Sequence, residues 1–210
     1  MRIRPILFNT DMVRAILDGR KTTTRRALKY PFEVHPNGFI TKPRGHDRLC
    51  PYEPPYQQGD ILYVRETYRP LSDHPNAGFD YAANWSPKYF KNSKDPRSCN
   101  KGKWKPSIHM PKRAARIWLK VIDVRVERLQ DIKNVYNEGI HFCDCPAGYT
   151  WKDTTNMHNC YTDPVGAMKA LWNSTIPKGQ QDLYSYVANP WVWVIEFERC
   201  EKTEAAGEEG

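Results

Sequence analysis

The chain has 210 residues, 40% of them hydrophobic and 12% aromatic, with a formal net charge of +8 and a pI near 9.2. That length supports one core, so a single domain over 1–200 with insertions near 30–58, 74–105 and 141–162 is expected. The cation excess favours polyanionic partners. The lack of a long apolar run or a secretory leader excludes a helical membrane protein and makes a cytoplasmic location the expectation.

Thr10 to Leu17 is predicted to be a helix, with Val13, Ile16 and Leu17 on one side. Asp18-Gly19 reads as its stop, because glycine tolerates the left-handed backbone. Arg20 to Arg26 then packs four cations and three hydroxyls into seven residues. The β-branched threonines predict an extended strand. In an ideal strand Lys21, Thr23 and Arg25 share one face, and Thr22, Thr24 and Arg26 the other. The composition suits an anionic or polyhydroxyl ligand. It also suits a solvated edge strand, where lysine discourages edge-to-edge pairing.

Tyr30 to Gln58 is rich in Pro, Gly and aromatics and predicts a long loop or short irregular hairpin. Ile61 to Thr67 alternates as a core strand and ends in Arg65 and Glu66, one of which should face inward. Residues 74–105 interleave Lys88, Lys91, Lys94, Arg97, Lys101, Lys103 and Lys105 with aromatic rings. Such a segment is either a platform for single-stranded nucleic acid or a cation-coated loop over the core. Trp104 suits base stacking or core filling, and His109, near Ser107, suits a pocket acid or base or a satisfied rim histidine.

Ala115 to Leu129 predicts a long strand with Ile117, Leu119 and Val121 on one face, then Val124 and Val126 on the other, and the phase change near Ile122-Asp123 predicts a bulge or bend. Asp131 to Glu138 reads as a short helix stopped by Gly139. Cys143-x-Cys145 and His158-x-Cys160 offer three thiolates and one imidazole, a candidate structural zinc site; the alternative is a loop with incidental thiols. Pro164 to Trp172 predicts a helix capped by Asp163, with Val165, Met168, Leu171 and Trp172 inward. Residues 201–210, with four Glu and one Lys, read as a disordered acidic tail.

Several blocks carry a family resemblance. The first runs from Pro5-Ile6-Leu7-Phe8-Asn9 into Gly19-Arg20-Lys21-Thr22 and Thr24-Arg25-Arg26. The second is Gly59-Asp60-Ile61-Leu62-Tyr63-Val64-Arg65-Glu66-Thr67. The third runs from Trp104-Lys105-Pro106-Ser107-Ile108-His109-Met110-Pro111 through Leu129-Gln130-Asp131-Ile132 to Glu138-Gly139-Ile140, and Trp191 to Phe197 closes the match. In these the chain resembles phage- or prophage-type ASCH-domain proteins of the PUA-like superfamily. The resemblance implies an α+β fold built on a PUA-like β-barrel with flanking helices and long loop insertions.

It also implies chemistry. One branch of the family comprises small amidohydrolases that deacetylate N4-acetylcytidine. Their lysine and threonine in a Gly-Arg-Lys-Thr-x-Thr segment, and their glutamate after the central long strand, fall on Lys21, Thr24 and Glu138. The implied roles are a Thr24 nucleophile, a Lys21 base or polariser, and a Glu138 that orients Lys21 or shuttles a proton. Arg20, Arg25, Arg26, Arg65, Glu66, Trp104, Ser107 and His109 are the candidates to line a basic cleft for a nucleoside, nucleotide, RNA or DNA segment. That branch is much shorter than this chain. Binding in that cleft is the first reading and deacylation the alternative; ribonuclease action is a further family reading, and a phage accessory protein whose barrel is a scaffold for protein contacts is a separate one. An ordinary ion pair between Lys21 and Glu138, with Thr24 as a plain strand hydroxyl, is the structural alternative.

Overall fold

The computed structural model describes residues 1–36, 39–43, 49–72, 78–85, 103–145, 148–152 and 160–202, with backbone alone at 43, 49, 143–145 and 148–152. In chain order the regular elements are β1 (Ile3–Leu7), α1 (Thr10–Leu17), β2 (Thr23–Ala27), β3 (Glu33–Val34), β4 (Ile40–Pro43), β5 (Leu49–Pro51), β6 (Ile61–Arg65), β7 (Tyr68–Pro70), β8 (Phe79–Tyr81), β9 (Trp118–Arg128), β10 (His141–Cys145), β11 (Gly148–Lys152), α2 (Pro164–Thr175), α3 (Gln181–Tyr184) and β12 (Trp191–Cys200). The fold is α+β with a mostly sheet core, as expected, and among the described residues no sheet closes into a barrel. No described helix is long and apolar enough to cross a membrane.

The chain divides into two compact units. Unit 1 comprises Met1–Gly19, Asp60–Lys120 and Glu198–Gly210; unit 2 comprises Arg20–Gly59 and Val121–Phe197.

In unit 1, β6 lies between β1, to which it is parallel, and the first residues of β9, to which it is antiparallel. The side chain of Asn9 caps α1 by accepting from the Met12 amide at 2.8 Å, and Asp11 adds an acidic group to the first turn. Val13, Ala15 and Ile16 are buried, and Gly19 at φ 73° follows the helix end. The β7–β8 hairpin packs on a cluster of Ile61, Tyr68, Met110, Ala114, Ala115 and Trp118.

In unit 2, β12 lies between β9 and β2 and pairs antiparallel with β2, setting Thr24 opposite Ile195 and Arg25 opposite Val194. Val192, Val194 and Ile195 are fully buried, and because successive side chains point to opposite faces, both faces of β12 are covered here. The segment expected to be a loop or hairpin contains the antiparallel sheet β3-β4-β5. Asp163 caps α2 by accepting from the Gly166 amide at 2.7 Å. Met168, Leu171 and Trp172 are buried as expected, whereas Val165, near the helix start, is 47% exposed.

The helix expected over Asp131 to Glu138 is absent. A 3-10 turn covers Leu129–Asp131, and a tighter turn brings the Glu138 amide onto the Val135 carbonyl. Local side-chain bonding accounts for it: Asn134 Oδ1 accepts from the Tyr136 amide at 3.0 Å, an alternative to the helical ladder. Gly139, at φ 93°, leaves the turn in the left-handed region.

Candidate active site

The segment before β2 is not an ideal strand. The amides of Thr22 and Thr23 both donate to the Asn137 carbonyl, each at 3.0 Å, and Lys21 makes an isolated antiparallel bridge with Glu138. Two successive amides aimed at one acceptor break strict alternation. Thr22 is exposed, and Lys21, Thr23, Thr24 and Arg25 are all buried. Lys21 and Thr24, on opposite faces of an ideal strand, are thus both inside.

The Lys21 side chain is 0% exposed. Its ammonium donates to Glu138 Oε2 at 2.6 Å, to the Thr23 carbonyl at 2.7 Å and to the Glu138 carbonyl at 3.3 Å. All three N–H donors of a cationic lysine are therefore used. The other carboxylate oxygen of Glu138, Oε1, accepts from an Arg25 terminal nitrogen at 2.8 Å. Arg25 turns its opposite edge to Glu127, donating from Nε at 3.3 Å and from its second terminal nitrogen at 2.8 Å, both to Oε1. Glu127 Oε2 in turn lies 3.5 Å from Arg125 Nε. Arg125 also bonds Asp123 at 2.7 Å and Glu196 at 2.6 Å.

The result is a chain of alternating charge, Lys21–Glu138–Arg25–Glu127–Arg125, within unit 2. It runs outward: side-chain exposure is 4% at Arg25, 19% at Glu127 and 43% at Arg125. Burial pulls the Lys21 ammonium below its ordinary value. The Glu138 charge and hydrogen bond oppose that, the charges of Arg26 and Arg25 reinforce it, and the net direction is down.

Lys21, Glu138 and Arg25 are brought into direct contact, and Arg26, exposed on β2, acts on both Lys21 and Glu138 through its charge. Arg20 donates to the Gly139 carbonyl at 3.0 Å and lies 3.4 Å from His141 Nδ1. The other candidates belong to unit 1 and form separate contacts. Arg65 donates to the Ile108 carbonyl, and its buried Nε has no hydrogen-bond partner among the described residues. Glu66, not Arg65, is the fully inward residue, with its carboxylate held by Arg116 at 2.8 and 3.0 Å. Trp104 stacks against the Arg69 guanidinium at 4.5 Å and meets Trp85 edge-on at 6.3 Å. Ser107 is half-buried and His109 exposed on a 3-10 turn, where the His109 carbonyl accepts from Tyr68 Oη at 2.9 Å.

The candidate zinc ligands fall at the edge of the described residues. Cys143 and Cys145 lie on β10, described by backbone alone, His158 lies outside, and Cys160 is an exposed thiol. Among the described residues no group of three or more His, Cys, Asp or Glu could hold a metal. The basic run from Lys88 to Lys101 also lies outside them.

Sequence reasoning missed Glu127 and Arg125. The signal was there: Asp123, Arg125 and Glu127 repeat every second residue and charge one face of a strand read only for its apolar positions. It also missed the Arg69–Asp80 pair in unit 1, where Asp80 accepts from Arg69 at 3.0 and 3.2 Å and from Trp85 Nε1 at 2.9 Å. A cavity of about 430 Å³ in unit 2 is lined by Val34, His35, Pro36, Val126 and Trp191, none of them a member of the charge chain. The buried ions, rather than this opening, mark the candidate site, because burying charge is costly and groups shifted by burial concentrate at functional sites.

Comparison with known proteins finds no matching family model, curated protein or solved structure.

Proposed function

We propose that unit 2 binds a nucleoside or nucleotide beside Lys21 and hydrolyses the exocyclic amide of an N4-acylated cytosine there. The observation that carries this reading is the fully buried Lys21 ammonium, 2.6 Å from Glu138 Oε2, with Thr24 buried in the same segment. A structural role alone does not call for this arrangement, since a buried ion pair is often no more stabilising than apolar residues of similar volume. The PUA-like, ASCH-type barrel belongs to the same proposal and rests on the resemblance of the sequence blocks.

The proposed chemistry starts from the Lys21–Glu138 pair and requires the Thr24 hydroxyl, buried in the same segment, to come within hydrogen-bond reach of Lys21. Loss of one Lys21 proton leaves a neutral amine, a state favoured by burial and by Arg25 and Arg26. That amine takes the Thr24 hydroxyl proton as the oxygen attacks the acyl carbon. The C–N bond breaks, the proton passes to the departing amino group of cytosine, and an acyl ester remains on Thr24. Water then cleaves the ester, returning the hydroxyl and releasing the carboxylic acid. Glu138 holds the Lys21 nitrogen in place and supplies a proton acceptor within hydrogen-bond reach. Lys21 is covered in this conformation, so the amide reaches it only when the site opens.

The net charge of +8 favours a phosphate-bearing ligand, a nucleotide or an RNA or DNA segment carrying the modified base. The experiment is release of cytidine from N4-acetylcytidine by the purified chain, run beside an oligonucleotide with the same base. Release from either, lost in Lys21→Ala, supports the proposal.

A further inference from the structure

The charge chain continues past Lys21 and Glu138, its two members assigned to the reaction, and the next two, Arg25 and Glu127, have geometry of their own. Among the described residues Arg25 bridges Glu138 and Glu127: one edge of its guanidinium serves each carboxylate. A guanidinium is a planar fork with a fixed charge, so the net field at the carboxylate on one edge is that charge summed with whatever charge faces the other edge. We propose that Glu127 is a positioning residue of the site. By engaging the outer edge of Arg25 it sets how much positive charge Arg25 presents to Glu138, and so the protonation of Lys21. The inference rests on the proposed hydrolysis only for its biological meaning. Its physical content concerns Lys21 itself.

The charged groups facing these residues define the sign. Lys21 feels Glu138, Arg25 and Arg26; Arg26 also interacts with Tyr56. Glu127 faces Arg25 inward and Arg125 outward, and Arg125 is shared with Asp123 and Glu196. Glu127→Gln keeps an oxygen acceptor for Arg25 and removes the negative charge. The positive charge of Arg25 is then offset less, and a neutral Lys21 is favoured at lower pH. Arg25→Gln acts the other way, because it removes a cation. A role confined to packing would not give opposite signs. Arg125→Gln, at the exposed end, leaves the negative charge of Glu127 less offset and favours the charged Lys21.

The test uses protein labelled with 13C-lysine, following the Lys21 Cε resonance against pH, with Lys21→Arg to assign it. In Glu127→Gln the midpoint falls by about 0.5 pH unit, a roughly threefold rise in the neutral fraction at fixed pH. In Arg125→Gln it rises. An unchanged or raised midpoint in Glu127→Gln overturns the inference. If Glu127→Gln does not fold, Arg125→Gln decides, and an unchanged or lowered midpoint there overturns it. Because no substrate is present, this measurement stands apart from the amidase assay. The expected shifts in a protein that releases no cytidine sink the hydrolysis and leave the coupling of Glu127 to Lys21 intact.

Discussion

Lys21 Nζ and Glu138 Oε2 lie 2.6 Å apart across 117 residues of sequence, and the other Glu138 oxygen is held by Arg25 at 2.8 Å. One buried carboxylate thus serves two buried cations. The turn that ends at Gly139 and the irregular entry to β2 are the local structures that bring them together.

This sharing predicts unequal losses of stability. Glu138→Ala leaves the buried Lys21 without its carboxylate and Arg25 with Glu127 alone, and costs about 3–5 kcal/mol, the range for breaking a buried pair. Lys21→Met keeps much of the volume and leaves Arg25 on Glu138, so it costs less. Urea unfolding of the two variants checks the order; an equal or larger loss in Lys21→Met contradicts it.

Lys21 also gives stability a pH dependence. Its value in the folded chain lies below the ordinary lysine value because burial disfavours the charge. Between the folded and unfolded values the unfolded chain binds the extra proton, so stability rises with pH across that window. The window closes near the ordinary lysine value of about 10.4. The stability of the wild type relative to Lys21→Met therefore increases as pH is raised towards that value. Equilibrium unfolding at a series of alkaline pH values measures it, and a falling difference contradicts the assignment.

Asp80 predicts the opposite edge of the pH range. Burial alone would raise its carboxyl. Hydrogen bonds from Trp85, Arg69 and the Tyr81 amide, with the Arg69 charge, outweigh that and bring it below the ordinary value. The resulting stability is present above the unfolded value, about 3.9, and is lost as pH falls through the folded one. Asp80→Asn should be less stable than wild type at neutral pH, with the gap narrowing in acid. Thermal transitions at neutral and acidic pH check this; a constant gap removes Asp80 from the account.

The sequence revealed local signals better than contacts between distant segments. Asp163, the Asp18-Gly19 stop and the apolar stripes of α1 and α2 announced their helices because caps and periodicity are written within a few residues, whereas the Asn9 cap emerged only from the fold. The Asp131 to Glu138 helix failed because Asn134 bonds the Tyr136 amide, a choice that propensity alone does not resolve. Lys21 and Glu138 were singled out through the family resemblance, since nothing local links residues so far apart. The roles of Arg25 and Glu127 depend on how β2, β12 and β9 lie side by side, which no short window of sequence contains.

The measurement that tests the central claim most directly is cytidine release from N4-acetylcytidine by wild type and a graded set of variants. Wild type releases cytidine, and Lys21→Ala does not, because the base is gone. Thr24→Ser retains part of the rate, since the hydroxyl survives, and Thr24→Ala retains none. Glu138→Gln slows turnover. No release by folded wild-type protein, or full release by Thr24→Ala, contradicts the account.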